Sequence, residues 1–176
     1  MISSAISRIA LNLPDLLSFM PSPVDQSPWE RVASPSLTSS SPPAVEVDLF
    51  ALLRNFLGHQ ATPSLMGQAF LDNNPNVLSD VWALDRGFTW LLTGLPRWLP
   101  LPSLTRAHLA RARLLSVLTT WHTAYDRIVA GEDPGSEWRD LDADVSEWMR
   151  RRAAKFRELG LKPSERAPAD LAVLWA

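Results

Sequence analysis

The chain has 176 residues, 46% of them hydrophobic, with a formal net charge of −2 and no cysteine. That length and apolar content suit a globular domain with a real core, and a charge so near neutrality gives no electrostatic case for nucleic acid or an anionic membrane. The absence of cysteine excludes disulfides, thiolate metal sites and a cysteine nucleophile in this chain. At the N-terminus, Arg8, Pro14 and Asp15 interrupt the apolar residues, so no signal-peptide h-region forms. The stretch "GFTWLLTGLPRWLPLPSL" holds Arg97 and three prolines and is too broken to span a bilayer. Neither a signal peptide nor a transmembrane anchor is expected.

In chain order, Ser27-Pro28-Trp29-Glu30 predicts a short helix opened by a capping box with Pro at the first helical position. Residues 33–45, rich in Ser and Pro, read as a surface loop with nothing to bury. From Asp48 as N-cap, Leu49, Leu52, Leu53 and Phe56 recur at helical spacing, and Thr62-Pro63 predicts a break or kink. Asn74-Pro75 opens the next helix, with Val77, Leu78, Val81, Trp82, Phe88, Leu91 and Leu92 on one stripe up to Gly94. A proline-stiffened connector, 95–103, leads to a long helix capped by Ser103 and ended by Gly131. After a loop, Asp144 with Glu147 predicts another capping box, and Val145, Trp148, Met149, Phe156 and Leu159 face one way until Gly160. The final "PADLAVLWA" starts like a helix and is apolar all round from Leu171. A helix of that kind belongs inside a larger protein, so the chain reads as one partial domain, 1–176, mainly α. The stripes of its helices are expected to lack part of their packing partner.

Residues that carry chemistry are few. His59, His108 and His122 lie on different segments or more than two turns apart, so they form no zinc set. Asp140, Asp142 and Asp144 spell D-x-D-x-D, but a calcium loop needs Gly at its sixth position and an acid at its twelfth, where Val145 and Arg151 stand. Arg150, Arg151, Arg152, Lys155 and Arg157 form the densest basic run, which favours the dipole and solvation of its helix; an acidic partner is its functional reading. Trp82, Trp90, Trp98 and Trp121 are numerous, but aromatic residues at helical spacing are more often core than ligand cage.

Several blocks resemble a known family. "VDLFALLRNFLGHQATPSLMGQAFL", "LLTGLPRWLPLPSLTRAHLARARLL", "AGEDPGSEWRDLDADVSEWMRRRAAKFRELGL" and "ADLAVLWA" together look like the middle of a fungal cytochrome P450, in a branch similar to prostacyclin synthase and sterol 7α/12α-hydroxylases. In that register the Asp48 helix resembles helix E, and Asn74 to Gly94 resembles helix F. Residues 95–103 resemble the F–G loop and the long helix resembles helix G. Residues 145–159 resemble helix H, and "ADLAVLWA" resembles the start of helix I.

The resemblance implies an incomplete portion of the cytochrome P450 fold. Its parent would be a haem-thiolate monooxygenase, using a reductase and oxidising a lipophilic, secondary-metabolite or sterol-like molecule, often at the endoplasmic reticulum membrane. Phe88, Trp90, Leu91, Leu95 and Trp98 would then belong to the substrate-channel wall. The haem of the parent is not expected in this chain, which has no cysteine ligand and no oxygen-activating segment. Glu147-Trp148-Met149-Arg150 matches the family's E-x-x-R by letters but precedes helix I, and Trp29 with Arg31 does not meet W-x-x-x-R. No catalytic, cofactor-binding or metal residue is carried over, and the chain alone is expected to be inactive. The alternative is a free-standing helical binding or scaffold module that uses the basic helix.

Overall fold

The computed structural model describes residues 2–39, 41–96 and 98–175 and is mainly helical, as the periodicity predicts. The chain divides into two compact units, Met1–Ser64 and Leu65–Ala176.

In the first unit, α1 (Ile2–Asn12) precedes α2 (Pro28–Val32), which starts where the Ser-Pro-Trp-Glu box predicts. Glu30 Oε2 accepts the Ser27 N–H at 3.1 Å, and its other oxygen accepts the Ser18 N–H at 2.7 Å and hydroxyl at 3.0 Å. A buried carboxylate is tolerated when its lone pairs are filled this way. Trp29 donates from its indole N–H to the Leu16 carbonyl and stands edge-on to Phe56, ring centroids 5.4 Å apart.

Within the Ser/Pro-rich stretch read as loop, Ser36–Thr38 (β1) pairs antiparallel with Ala44–Glu46 (β2), Leu37 opposite Val45. Ser36-Leu37-Thr38 alternates polar and apolar residues, and Val45 of β2 faces Leu37 across the short two-stranded ribbon. Pro42 and Pro43 keep it short, because proline cannot donate to a ladder.

Helix α3 (Leu49–Met66) is capped as predicted, Asp48 Oδ1 accepting the Ala51 N–H at 2.9 Å. Of the predicted stripe, Leu52 and Phe56 are buried, whereas Leu49 and Leu53 are exposed. The buried face runs through Leu52, Asn55, Phe56 and Gln60, so amides hold two inward positions that an apolar count assigns elsewhere. Asn55 satisfies its amide on the Ala51 carbonyl at 2.8 Å, and Gln60 Oε1 accepts from the Asn12 amide at 2.7 Å. Of the break or kink expected at Pro63, no break occurs, since the helix continues through it to Met66. The stop is Gly67, at φ +90°, a conformation that glycine alone adopts without strain.

The second unit contains α4 (Gln68–Asp72), α5 (Val77–Leu92), α6 (Pro102–Ala130), α7 (Leu141–Asp144), α8 (Glu147–Glu158) and α9 (Pro163–Trp175). Helix α5 begins later than Asn74 because 74–76 form a turn, the Asn74 carbonyl accepting the Val77 N–H at 3.0 Å. Helix α6 begins at Pro102 and not behind a Ser103 cap. Proline suits the first helical position, where its missing N–H costs nothing. Gly131 ends that helix at φ +76°.

The predicted Asp144 cap is also displaced: Ser146 caps α8, its Oγ accepting the Met149 N–H at 3.2 Å and donating to the Leu65 carbonyl at 3.0 Å. A hydroxyl can do both at once, and a carboxylate cannot donate. Helix α9 starts five residues before Pro168, which lies inside it.

The core centres on Trp121, fully buried on α6, whose indole N–H donates to the Met66 carbonyl at 3.0 Å and whose ring stacks on Tyr125 at 5.4 Å. Val77, Leu78 and Val81 of α5, Leu114 and Leu118 of α6, Met149 of α8 and Leu171 of α9 join the same cluster. Part of each stripe expected to lack a partner is covered by the others in this cluster. Leu92, Trp148 and Leu159, placed on inward stripes by spacing, are exposed. On α8 the inward face is Met149 and Ala153, while Trp148 and Phe156 flank the Arg152 guanidinium, with centroid distances of 5.4 and 4.8 Å.

Candidate functional site: an apolar cavity between three helices

Helices α5 and α6 lie unusually close at Gly87. A Cβ there would overlap that of Ala107 and stand 3.1 Å from the Ser103 carbonyl oxygen. Beside this crossing, α9 leaves a cavity of about 340 Å³ lined by Leu84, Phe88 and Leu91 of α5, Arg111 of α6, and Pro168, Leu171, Ala172 and Trp175 of α9. The α5 and α9 residues recur at i, i+3/i+4 and i+7, one face of each helix. The volume falls at the lower end of the range, about 300–1,000 Å³, of small-molecule sites. Trp175 is fixed twice, its ring against Phe88 with centroids 4.3 Å apart and its indole N–H donating to Asp85 Oδ1 at 3.1 Å. Arg111 is the charged side chain of the lining, and among the described residues it has no hydrogen-bond, ion-pair or ring partner.

Of the residues assigned to the channel wall from sequence, Phe88 and Leu91 line this cavity. Trp90 does not; two positions from Phe88 is about 200° around a helix, and the residue is 41% exposed. Leu95 and Trp98 lie on the connector, the latter 78% exposed, and neither lines the cavity. Leu84 was legible as i−4 from Phe88. Arg111 had no signal, since one cation on a long amphipathic helix is ordinary.

A second constellation is buried ionic. Asp170, 1% exposed, accepts from His122 Nε2 at 2.7 Å and Arg152 Nε at 2.5 Å. Nearby, Arg166 donates to both oxygens of Asp126 at 2.8 Å and to the Leu161 carbonyl at 2.7 Å, and Arg157 reaches Asp126 at 3.2 Å. His122 is fully enclosed, and among the described residues its Nδ1 has no hydrogen-bond partner. A His–Asp pair resembles half of a catalytic triad, but a general base must reach a substrate proton, and this one touches neither solvent nor the apolar cavity. The cluster pins α9 and α8 to α6. Burial lowers the pKa of His59, opposed by its bond to the Asn55 carbonyl. Burial, followed by the charge of Asp142, raises that of Tyr125.

The basic run on α8 is matched locally. Arg150 bonds the Val145 and Asp142 carbonyls, Arg151 pairs with Glu147, Arg152 with Asp170, Lys155 with Glu158 and Arg157 with Asp126. Among the described residues no three His, Asp or Glu side chains are grouped to hold a metal ion, and no helix is long and apolar enough to cross a membrane.

The lining of the apolar cavity offers no ligand to a haem iron. The chain has no cysteine, the enclosed His122 commits Nε2 to Asp170, and the cavity lining offers no histidine or thioether to an iron. The structure thus defines a mainly α-helical protein with an apolar cavity between three helices of its second unit. No protein-family model, curated protein or solved structure matches the chain.

Proposed function

We propose that the second unit binds a lipophilic small molecule in the α5–α6–α9 cavity, and that the chain is a cytochrome P450-like fragment in which this cavity is part of the substrate wall. One observation carries the reading: three helices that resemble F, G and the start of I converge on a cavity walled by Leu84, Phe88, Leu91, Leu171 and Trp175. Two of those residues were assigned to the wall by the resemblance alone. Apolar lining with few polar groups is the general character of small-molecule sites. Monooxygenation and a reductase partner belong to the parent family, and no chemical step is assigned to these residues. Each cation of α8 has a partner within the fold, and the scaffold alternative rests on Arg151 and Lys155, whose partners lie on the same exposed face.

Titration with 1-aminoanthracene, read by its fluorescence, tests the proposal. The expected result is saturable binding at one site per chain, abolished by Ala172→Trp, which fills the cavity from a position already exposed. Absence of binding, or binding unchanged in Ala172→Trp, overturns it.

A further inference from the structure

The cavity has a polarity, and it lies in one residue. Seven of its eight lining side chains are apolar, and the eighth is Arg111. Arginine is costly to leave beside apolar surface unless its five donors find acceptors or water. Several cations among the described residues of this unit have found them: Arg113 pairs with Asp80, Arg152 with Asp170, and Arg157 and Arg166 with Asp126. Arg111, among the described residues, has no such partner. Asp85, which holds Trp175 of the lining, is an acceptor for the indole N–H of that residue. One turn before Arg111 on the same face of α6 is His108, whose Nε2 is buried without a hydrogen-bond partner. An apolar chamber with an uncommitted guanidinium at its edge is complementary to a ligand that is hydrocarbon at one end and anionic at the other.

Resting on the reading of the cavity as a lipophile site, we infer that its ligand is a monoanionic amphiphile of the long-chain carboxylate class. The hydrocarbon lies against Leu84, Phe88, Leu91 and Leu171, and the carboxylate meets Arg111. Guanidinium and carboxylate match as paired donors and acceptors. At a site open to solvent the attraction is moderated by screening, so the head group tunes selectivity while the chain supplies most of the affinity.

The test compares dodecanoate, dodecan-1-ol and dodecyltrimethylammonium, all below their micelle concentrations, as competitors of 1-aminoanthracene on the full chain. Dodecanoate is expected to bind about five- to tenfold more tightly than the alcohol and the cation more weakly than both. In Arg111→Gln the preference of carboxylate over alcohol should shrink to within about twofold with the alcohol unchanged, whereas Arg111→Lys should keep part of it. Arg111 is exposed, so an unchanged circular dichroism spectrum and melting temperature confirm that the Gln variant folds. If alcohol and carboxylate bind equally, or the preference survives Arg111→Gln, the anionic inference falls and the lipophile site stands. If none of the three ligands nor the dye binds, the lipophile site itself falls.

Discussion

Gly87→Ala is a small substitution with a large expected effect. On an exposed helix, Gly to Ala gains about 1 kcal/mol from backbone entropy and propensity. At position 87 the new methyl would overlap the Cβ of Ala107, a group with no rotamer to escape into, so α5 and α6 must part along their contact. Overpacking of a tight core costs about 1–3 kcal/mol, and the backbone nature of the obstruction argues for the upper end. With the propensity gain of ~1 kcal/mol subtracted, the net expectation is a loss of about 2 kcal/mol. The double variant Gly87→Ala/Ala107→Gly transfers the methyl across the interface and should recover most of that loss. Urea unfolding of the four species in a double-mutant cycle should therefore give a favourable coupling of about 1.5 kcal/mol or more. If Gly87→Ala alone proves more stable than the parent by about 1 kcal/mol, as propensity dictates on a free surface, the close approach of α5 and α6 is refuted.

Asp170→Ala leaves Arg152 and a buried His122 facing each other without their shared acceptor. A loss of about 3 kcal/mol is expected, the lower end of the range for breaking a buried pair because Arg152 reaches water; a loss under ~1 kcal/mol would show that the cluster is effectively solvated. Ser146→Ala removes both the α8 cap and the bond to Leu65, costing about 1–2 kcal/mol in the same assay, and a neutral result would contradict the capping geometry. Burial holds the His59 pKa below its ordinary 6.5, so the unfolded chain takes up that proton first. Its stabilising share is present above about pH 6.5 and lost as pH falls below it; His59→Phe should flatten the fall in unfolding free energy between about pH 7 and 5, and an unaltered slope would sink the assignment. Haem reconstitution followed by reduction and carbon monoxide should give no thiolate-type band, because no cysteine exists to supply the ligand; a stoichiometric red-shifted band would overturn this.

Local chemistry wrote much of this fold into the sequence. The Asp48 cap, the Ser27–Glu30 box, the glycine stops at 131 and 160 and the long α6 depend on neighbours within a turn or two, and the structure contains them all. Phe88 and Leu91 were picked out by the family resemblance, and both line the cavity because they share one face of α5. Other features depended on partners distant in sequence. Ser146 displaces Asp144 as a cap because Leu65, 81 residues away, offers a carbonyl that needs a donor. The inward face of α3 is set by Asn12 meeting Gln60, which no apolar count anticipates. The apolar look of "ADLAVLWA" concealed Asp170, whose burial is tolerable only because His122 and Arg152 arrive from other helices. Arg111 gained its meaning from the two helices that close beside it. Periodicity reports which face of a helix turns inward, but what that face meets, and which charge remains unmatched, is decided by the elements packed against it.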